Sequence, residues 1–153
     1  KGSARTRGYC EPALLEVTHG RILAVHRIGQ VKVGVSGCFW WNESLDGGMT
    51  WSRPAATDIL SGACPRLLRV HDGRVLLTYG RRFEPYGIYG ALSEDGGRTW
   101  GEALLLRKAR NSDQGYTSSI ELEPGRIFTA SYGQNRRGVT GITGTFWSLP
   151  PPK

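Results

Sequence analysis

Glu11, Cys64 and Tyr116 each lie nine residues before a glycine, Gly20, Gly73 and Gly125, in a repeat of about fifty residues. Counting seven residues forward from the same glycines reaches Arg27, Gly80 and Tyr132. A carboxylate, a phenol and a guanidinium on two equivalent positions make a set that can move a proton and bind an anion. The remaining reactive types are scattered. Cys10, Cys38 and Cys64 are odd in number and widely spaced, and His19, His26 and His71 have no metal-ligand spacing. No metal and no cofactor is expected, and these thiols and imidazoles are read as buried or idle groups in or beside turns and strands.

The elements that must position this set follow from the repeat. Residues 12–23, Pro-Ala-Leu-Leu-Glu-Val-Thr-His-Gly-Arg-Ile-Leu, match residues 65–76, Pro-Arg-Leu-Leu-Arg-Val-His-Asp-Gly-Arg-Val-Leu. Residues 117–128 form a third copy with Gly125 and Arg126 in register. Each copy reads as strand, tight turn, strand, with glycine taking the positive φ of the turn. A second pattern follows the first two hairpins: Ser44-Leu-Asp-Gly-Gly-Met-Thr-Trp51 and Ser93-Glu-Asp-Gly-Gly-Arg-Thr-Trp100. In it a carboxylate and hydroxyls can bond turn amides while the tryptophan packs beneath. Four short strands per unit suit a propeller blade. The expected architecture is all-β, a partial β-propeller of about three four-stranded blades over 8–57, 58–109 and 110–149, within one unit spanning 1–153. The third blade lacks the second pattern, and its third strand is expected over 139–147. Innermost propeller strands line a central channel, so Glu11 and Tyr116 are expected to face one central pocket.

The S-x-D-G-G-x-T-W pattern resembles the Asp-box, or BNR repeat, which assigns structural work to Ser44, Asp46, Gly48, Thr50 and Trp51 and to Ser93, Asp95, Gly97, Thr99 and Trp100. Cys10-Glu-Pro-Ala-Leu-Leu-Glu-Val with His26-Arg27, and Gly115-Tyr-Thr-Ser-Ser-Ile, are similar to segments of six-bladed sialidases (neuraminidases). The chain resembles the C-terminal half of that family. The resemblance implies Glu11 as the catalytic glutamate, Tyr116 as the nucleophile and Arg27 as one arginine of a carboxylate-binding triad. It further implies a retaining attack on sialic acid or a similar terminal anionic sugar. A neutral tyrosine avoids the repulsion that a carboxylate nucleophile would meet from the substrate's own carboxylate. Where the family has its third arginine this sequence has Tyr89, with Arg81 and Arg82 as alternative substrate-binding groups. The family's acid aspartate belongs to the half that is missing here. Asp113 is the one local carboxylate in reach, and it also reads as a turn-stabilising residue. Glu11 as a solvated strand-start charge, Tyr116 as pocket floor and Arg27 as partner of a structural carboxylate remain the bland alternatives.

Composition bounds these readings. In 153 residues there are 22 glycines and 8 prolines, enough for many tight turns around one core. No apolar run reaches a membrane span. The net charge of +7 reads either as an anion-binding surface or as a solvated basic one, since arginines are spread from Arg5 to Arg137. They form no stripe interleaved with aromatics, so nucleic acid is not expected as a partner. The one methionine is Met49 and the first nine residues are polar and basic; Lys1 is not expected to be a translation start, and no localisation follows. Three blades are too few to close a ring. A missing N-terminal half, or a second copy forming a homodimeric six-bladed ring, is expected to complete it. The functional expectation is a sialidase-like hydrolase scaffold, weak or inactive as this piece, with a non-catalytic glycan- or protein-binding module or an assembly unit as the alternative.

Overall fold

Period-two burial and glycine turns produce eleven strands in the computed structural model, which describes residues 8–28, 37–60 and 62–152. No helix among them is long and apolar enough to cross a membrane. The strands are β1 Tyr9–Thr18, β2 Arg21–Ile28, β3 Cys38–Ser44, β4 Ala55–Leu60, β5 Ala63–Arg69, β6 Val75–Arg81, β7 Gly87–Ser93, β8 Leu104–Lys108, β9 Gln114–Glu123, β10 Arg126–Gln134 and β11 Thr140–Ser148. They form three antiparallel sheets, β1-β2-β3-β4, β5-β6-β7-β8 and β9-β10-β11. The third sheet has three strands. After Ser148 the chain runs Leu-Pro-Pro-Pro, and proline supplies no amide to a ladder. The hairpin turns close at Gly20, Gly73 and Gly125 with φ of 76°, 90° and 78°, in the left-handed region that favours glycine.

The sheets pack face to face through two apolar layers. Val17, Leu23, Val25, Phe39 and Ile59 of the first meet Val75, Leu77, Tyr79, Tyr89 and Ala91 of the second. Val70 and Leu76 of the second meet Ile127 of the third, with Leu68, Leu92, Trp147 and Leu149 around them. The innermost strands β1, β5 and β9 touch in succession. Thr78 Oγ1 and Thr117 Oγ1 are hydrogen-bonded at 3.0 Å across the second and third sheets. This is a partial β-propeller of three blades.

The two S-x-D-G-G-x-T-W turns follow β3 and β7 at the outer ends of the first hairpins. Asp46 accepts from Ser44 Oγ at 2.8 Å, from the Thr50 amide at 2.9 Å and from Thr50 Oγ1 at 2.6 Å. Asp95 repeats the pattern with Ser93 at 2.8 Å and Thr99 at 2.6 Å. Trp51 Nε1 donates to the Gly48 carbonyl at 3.1 Å. The Thr50 and Ser44 bonds hold the Asp46 carboxyl down at about 2. For Asp95, burial pushes upward but the Thr99 bonds prevail, again to about 2. The turns also join blades: Glu43 accepts Arg21 Nε at 2.7 Å and Arg98 Nη2 at 3.1 Å, while Arg21 Nη2 reaches the Gly96 carbonyl at 2.9 Å. Each aspartate is occupied with its own turn.

Candidate functional site

The opposite end of the blades carries the groups singled out by spacing. Each inner hairpin loses register there, between Cys10 and Ala13, between Ala63 and Arg66, and between Ala130 and Tyr132. At each irregularity a non-glycine residue takes a left-handed conformation: Glu11 at φ 50°, Cys64 at 40° and Tyr116 at 48°. Such a conformation costs about 1–2 kcal/mol for an L-residue. Its presence in all three blades makes it a repeated device, in which a bulge swings the side chain away from the strand's ordinary alternation.

The device brings the three side chains together. Glu11 Oε2 accepts Arg27 Nε at 2.6 Å and the Cys64 backbone amide at 3.3 Å. Its other oxygen accepts the Tyr116 hydroxyl at 3.3 Å. Burial pushes the Glu11 carboxyl upward, but the Arg27 and Cys64 bonds and the Arg27 charge hold it at about 2. Tyr116 is pushed up to about 12 by the Cys64 thiol and then by the Glu11 charge. Burial, then Glu11, raises the Cys64 thiol as well. At neutral pH the set is therefore a carboxylate anion, a guanidinium, a neutral phenol and a neutral thiol. It can hold an anion through Arg27 and present a phenol oxygen whose proton already points at a carboxylate.

Residues 1–129 match the family described as BNR repeat-like domain. The chain belongs to the BNR repeat-like family. No curated protein matches it. Among solved structures it is similar to a Dyadobacter fermentans protein of unknown function, 25% identical with a TM-score of 0.82, over 96% of this chain and 40% of that one. A xylan β-1,4-xylosidase from Bacillus halodurans is similar at 15% identity and a TM-score of 0.64, over 100% of this chain and 32% of that one. A Hadza microbial sialidase is similar at 19% identity and a TM-score of 0.59, over 93% of this chain and 33% of that one. The chain thus spans two fifths or less of the length of each.

In this BNR repeat-like chain the other singled-out residues separate into two groups. Arg82 joins the site's rim: its Nη2 donates to the Tyr132 hydroxyl at 2.9 Å, and its guanidinium lies 6.0 Å from the Tyr116 ring centroid. Arg81 turns away, donating to the Glu84 carbonyl at 2.9 Å and lying over Phe83 at 4.8 Å. Tyr89 sits in the core, 5% exposed, stacked on Tyr79, with its hydroxyl donating to the Pro85 carbonyl at 3.1 Å. Tyr89, expected as a substrate-binding group, is paired by β7 with Tyr79 and packs in the layer between blades.

Asp113 accepts Tyr132 at 3.0 Å and Gln134 Nε2 at 3.2 Å, and its amide donates to Asn111 Oδ1 at 3.0 Å. It closes a turn and accepts both side-chain hydrogen bonds. Spacing alone found the positions of Cys64 and Tyr132 but assigned them no role. Cys64 supplies an amide and a thiol to the Glu11–Tyr116 pair. Tyr132 stands beside Tyr116, ring centroids 5.7 Å apart, and relays Arg82 to Asp113. Among the described residues no group of His, Cys, Asp and Glu could hold a metal ion.

Proposed function

We propose that the Glu11, Arg27, Cys64 and Tyr116 group is one wall of a sugar pocket in a sialidase-like glycoside hydrolase, acting on sialic acid or a similar terminal anionic sugar. The observation that carries this is the Tyr116 hydroxyl directed at an ionised Glu11 beside Arg27. The sialidase-like scaffold, supported by the BNR repeat-like family and by propeller glycosidases among the similar structures, fits it. In this reading the two S-x-D-G-G-x-T-W turns are Asp-boxes that hold the blades and take no part in chemistry.

In the reaction, Tyr116 Oη attacks the anomeric carbon and passes its proton to Glu11 as the new bond forms. The glycosidic C–O bond breaks, and the leaving oxygen takes a proton from an acid outside this group. In a second step water attacks from the face the leaving group vacated, giving its proton to the outside acid's conjugate base, while Tyr116 departs and takes its proton back from Glu11; the two inversions retain configuration. Arg27 bonds the sugar carboxylate. The phenol at about 12 and the carboxyl at about 2 make Glu11 a weak base, so proton transfer must accompany C–O cleavage rather than precede it. This piece alone is expected to turn over slowly or not at all.

A second reading, glycan binding without turnover, is favoured by the 2.6 Å Arg27–Glu11 bond, which uses part of the guanidinium before any sugar arrives. Hydrolysis of a fluorogenic sialoside that disappears in Tyr116→Phe supports the enzyme. Saturable sialic acid binding with no hydrolysis supports the binding module. Neither result, together with a stable dimer, leaves an assembly unit.

A further inference from the structure

Beside the central group, the same end of the molecule carries a cleft between β8, the outer strand of the second blade, and the β10–β11 hairpin of the third. Its floor is opened by two glycines. Gly133 and Gly141 are cross-strand partners, so two facing positions carry no side chain. A Cβ on Gly133 would stand 2.9 Å from Arg107 Nη2, whereas a Cβ on Gly141 would meet nothing within 4 Å. The resulting cleft of about 480 Å³ is lined by Arg107, Arg110 and Arg136 together with Gln134, Asn135 and Thr143, and no carboxylate lines it.

Arg107 is incompletely satisfied there. Its Nη2 makes one long bond to Ser131 Oγ at 3.4 Å, and its Nε is buried with no partner. None of the ion pairs among the described residues includes Arg107, Arg110 or Arg136. Burial lowers the Arg107 pKa, as expected where no anion compensates the charge. A charge without a counter-charge is costly, and an oxyanion in the cleft would supply one to the Arg107 guanidinium. The cleft also adjoins the central group. Its Gln134 bonds Asp113 at 3.2 Å, Asp113 accepts Tyr132 at 3.0 Å, and Tyr132 lies against Tyr116. No aromatic side chain lines it on which a nucleobase could stack.

We propose that this cleft is an anion subsite, holding a sulfate- or carboxylate-bearing sugar of a glycan that reaches outward from the central pocket. Arg107 and Arg136 hold the oxyanion, and Gly141 leaves room for the ring that carries it. The sugar assignment rests on reading the centre as a sugar pocket; the anion assignment rests on the cleft alone.

The test is calorimetric titration of the whole chain at low salt with a chondroitin sulfate tetrasaccharide, which carries sulfate and uronate groups and no sialic acid. Binding is expected, weakened about ten-fold or more by Arg107→Gln combined with Arg136→Gln. Gly141→Leu fills the cleft without changing charge and is expected to weaken binding as much. Thermal melting of each variant confirms that it is folded. Arg27→Gln is expected to leave tetrasaccharide binding unchanged while removing sialoside binding. Absent binding by the unmodified chain, equal binding of a desulfated tetrasaccharide methyl ester, or indifference to both cleft variants overturns the subsite. Tighter binding of a single-stranded oligonucleotide than of the tetrasaccharide overturns the sugar assignment. Absence of sialoside binding by the unmodified chain, with tetrasaccharide binding present, sinks the central pocket and leaves the cleft standing.

Discussion

Arg27 and Glu11 decide the electrostatics of the central group, because each is the other's first partner. A carboxyl held at about 2, against an ordinary 4.5, is ionised in the folded chain through most of the acid range. A depressed folded pKa adds stability that is fully present above the unfolded value and is lost as pH falls through the folded one. Glu11 therefore contributes to acid sensitivity between about 4.5 and about 2. Arg27→Gln removes the pairing, lets the Glu11 pKa rise toward its ordinary value and flattens that part of the acid loss. Urea unfolding at about pH 5 and about pH 3 should show a smaller drop in the variant than in the unmodified chain. An equal drop would mean that the ion pair does not set the Glu11 pKa. The same variant frees Glu11 as a stronger base, while costing the anion site its cation.

At the scale of elements, the inner-strand bulge does what strand alternation cannot. An ordinary strand would send Glu11, Cys64 and Tyr116 to one side of each sheet, into a layer between blades. The left-handed residue turns each side chain toward the neighbouring inner strands instead, at a strain of about 1–2 kcal/mol per position. Cys64 makes this testable, since it is buried and its amide holds Glu11. Cys64→Val puts a β-branched residue into that conformation and should lower stability by about 1–2 kcal/mol, read from the urea midpoint. Cys64→Gly accepts the conformation without strain and should stay within about 1 kcal/mol of the unmodified chain. A valine variant as stable as the glycine one would show that the bulge is not strained. The S-x-D-G-G-x-T-W turns stand at the far end of the same strands, so stabilising and reactive residues are kept apart by a strand length.

The whole molecule has two radial faces and only one inner layer on each side of the second blade. In that central blade β6 and β7 are buried almost throughout. On the open face of the third blade Ile120, Phe128 and Phe146 form one row across the sheet, with Ile120 52% and Phe146 63% exposed. On the first blade Leu14 is 61% exposed. Apolar rows of this kind on a β-sheet are normally covered. A second copy or further blades is the proposed cover, and it would bring the remaining walls of the pocket with it. Light scattering over a range of concentrations should show association of the chain, and Phe146→Glu should shift it toward monomer. A single monomeric mass at every concentration would rule out pairing with a second copy.

Much of the architecture is legible in the residues because it is local and repeated. Glycine at positions 20, 73 and 125 sets the hairpins, the fifty-residue period sets the blades, and counting from those turns finds Glu11 and Tyr116 without coordinates. These are properties of short chain segments, and the backbone conformations they require are available to few residue types. What residue types and spacing leave open is how side chains from different blades meet. That Arg27 spends its shortest bond on Glu11, that Cys64 completes the group, that Tyr89 enters the core and that Arg107 lies over Gly133 without an ion pair depend on contacts between residues far apart in the chain. Such contacts are settled by packing between sheets, which no single strand encodes; the inner position was written in the sequence, and its electrostatic state was decided only by the fold.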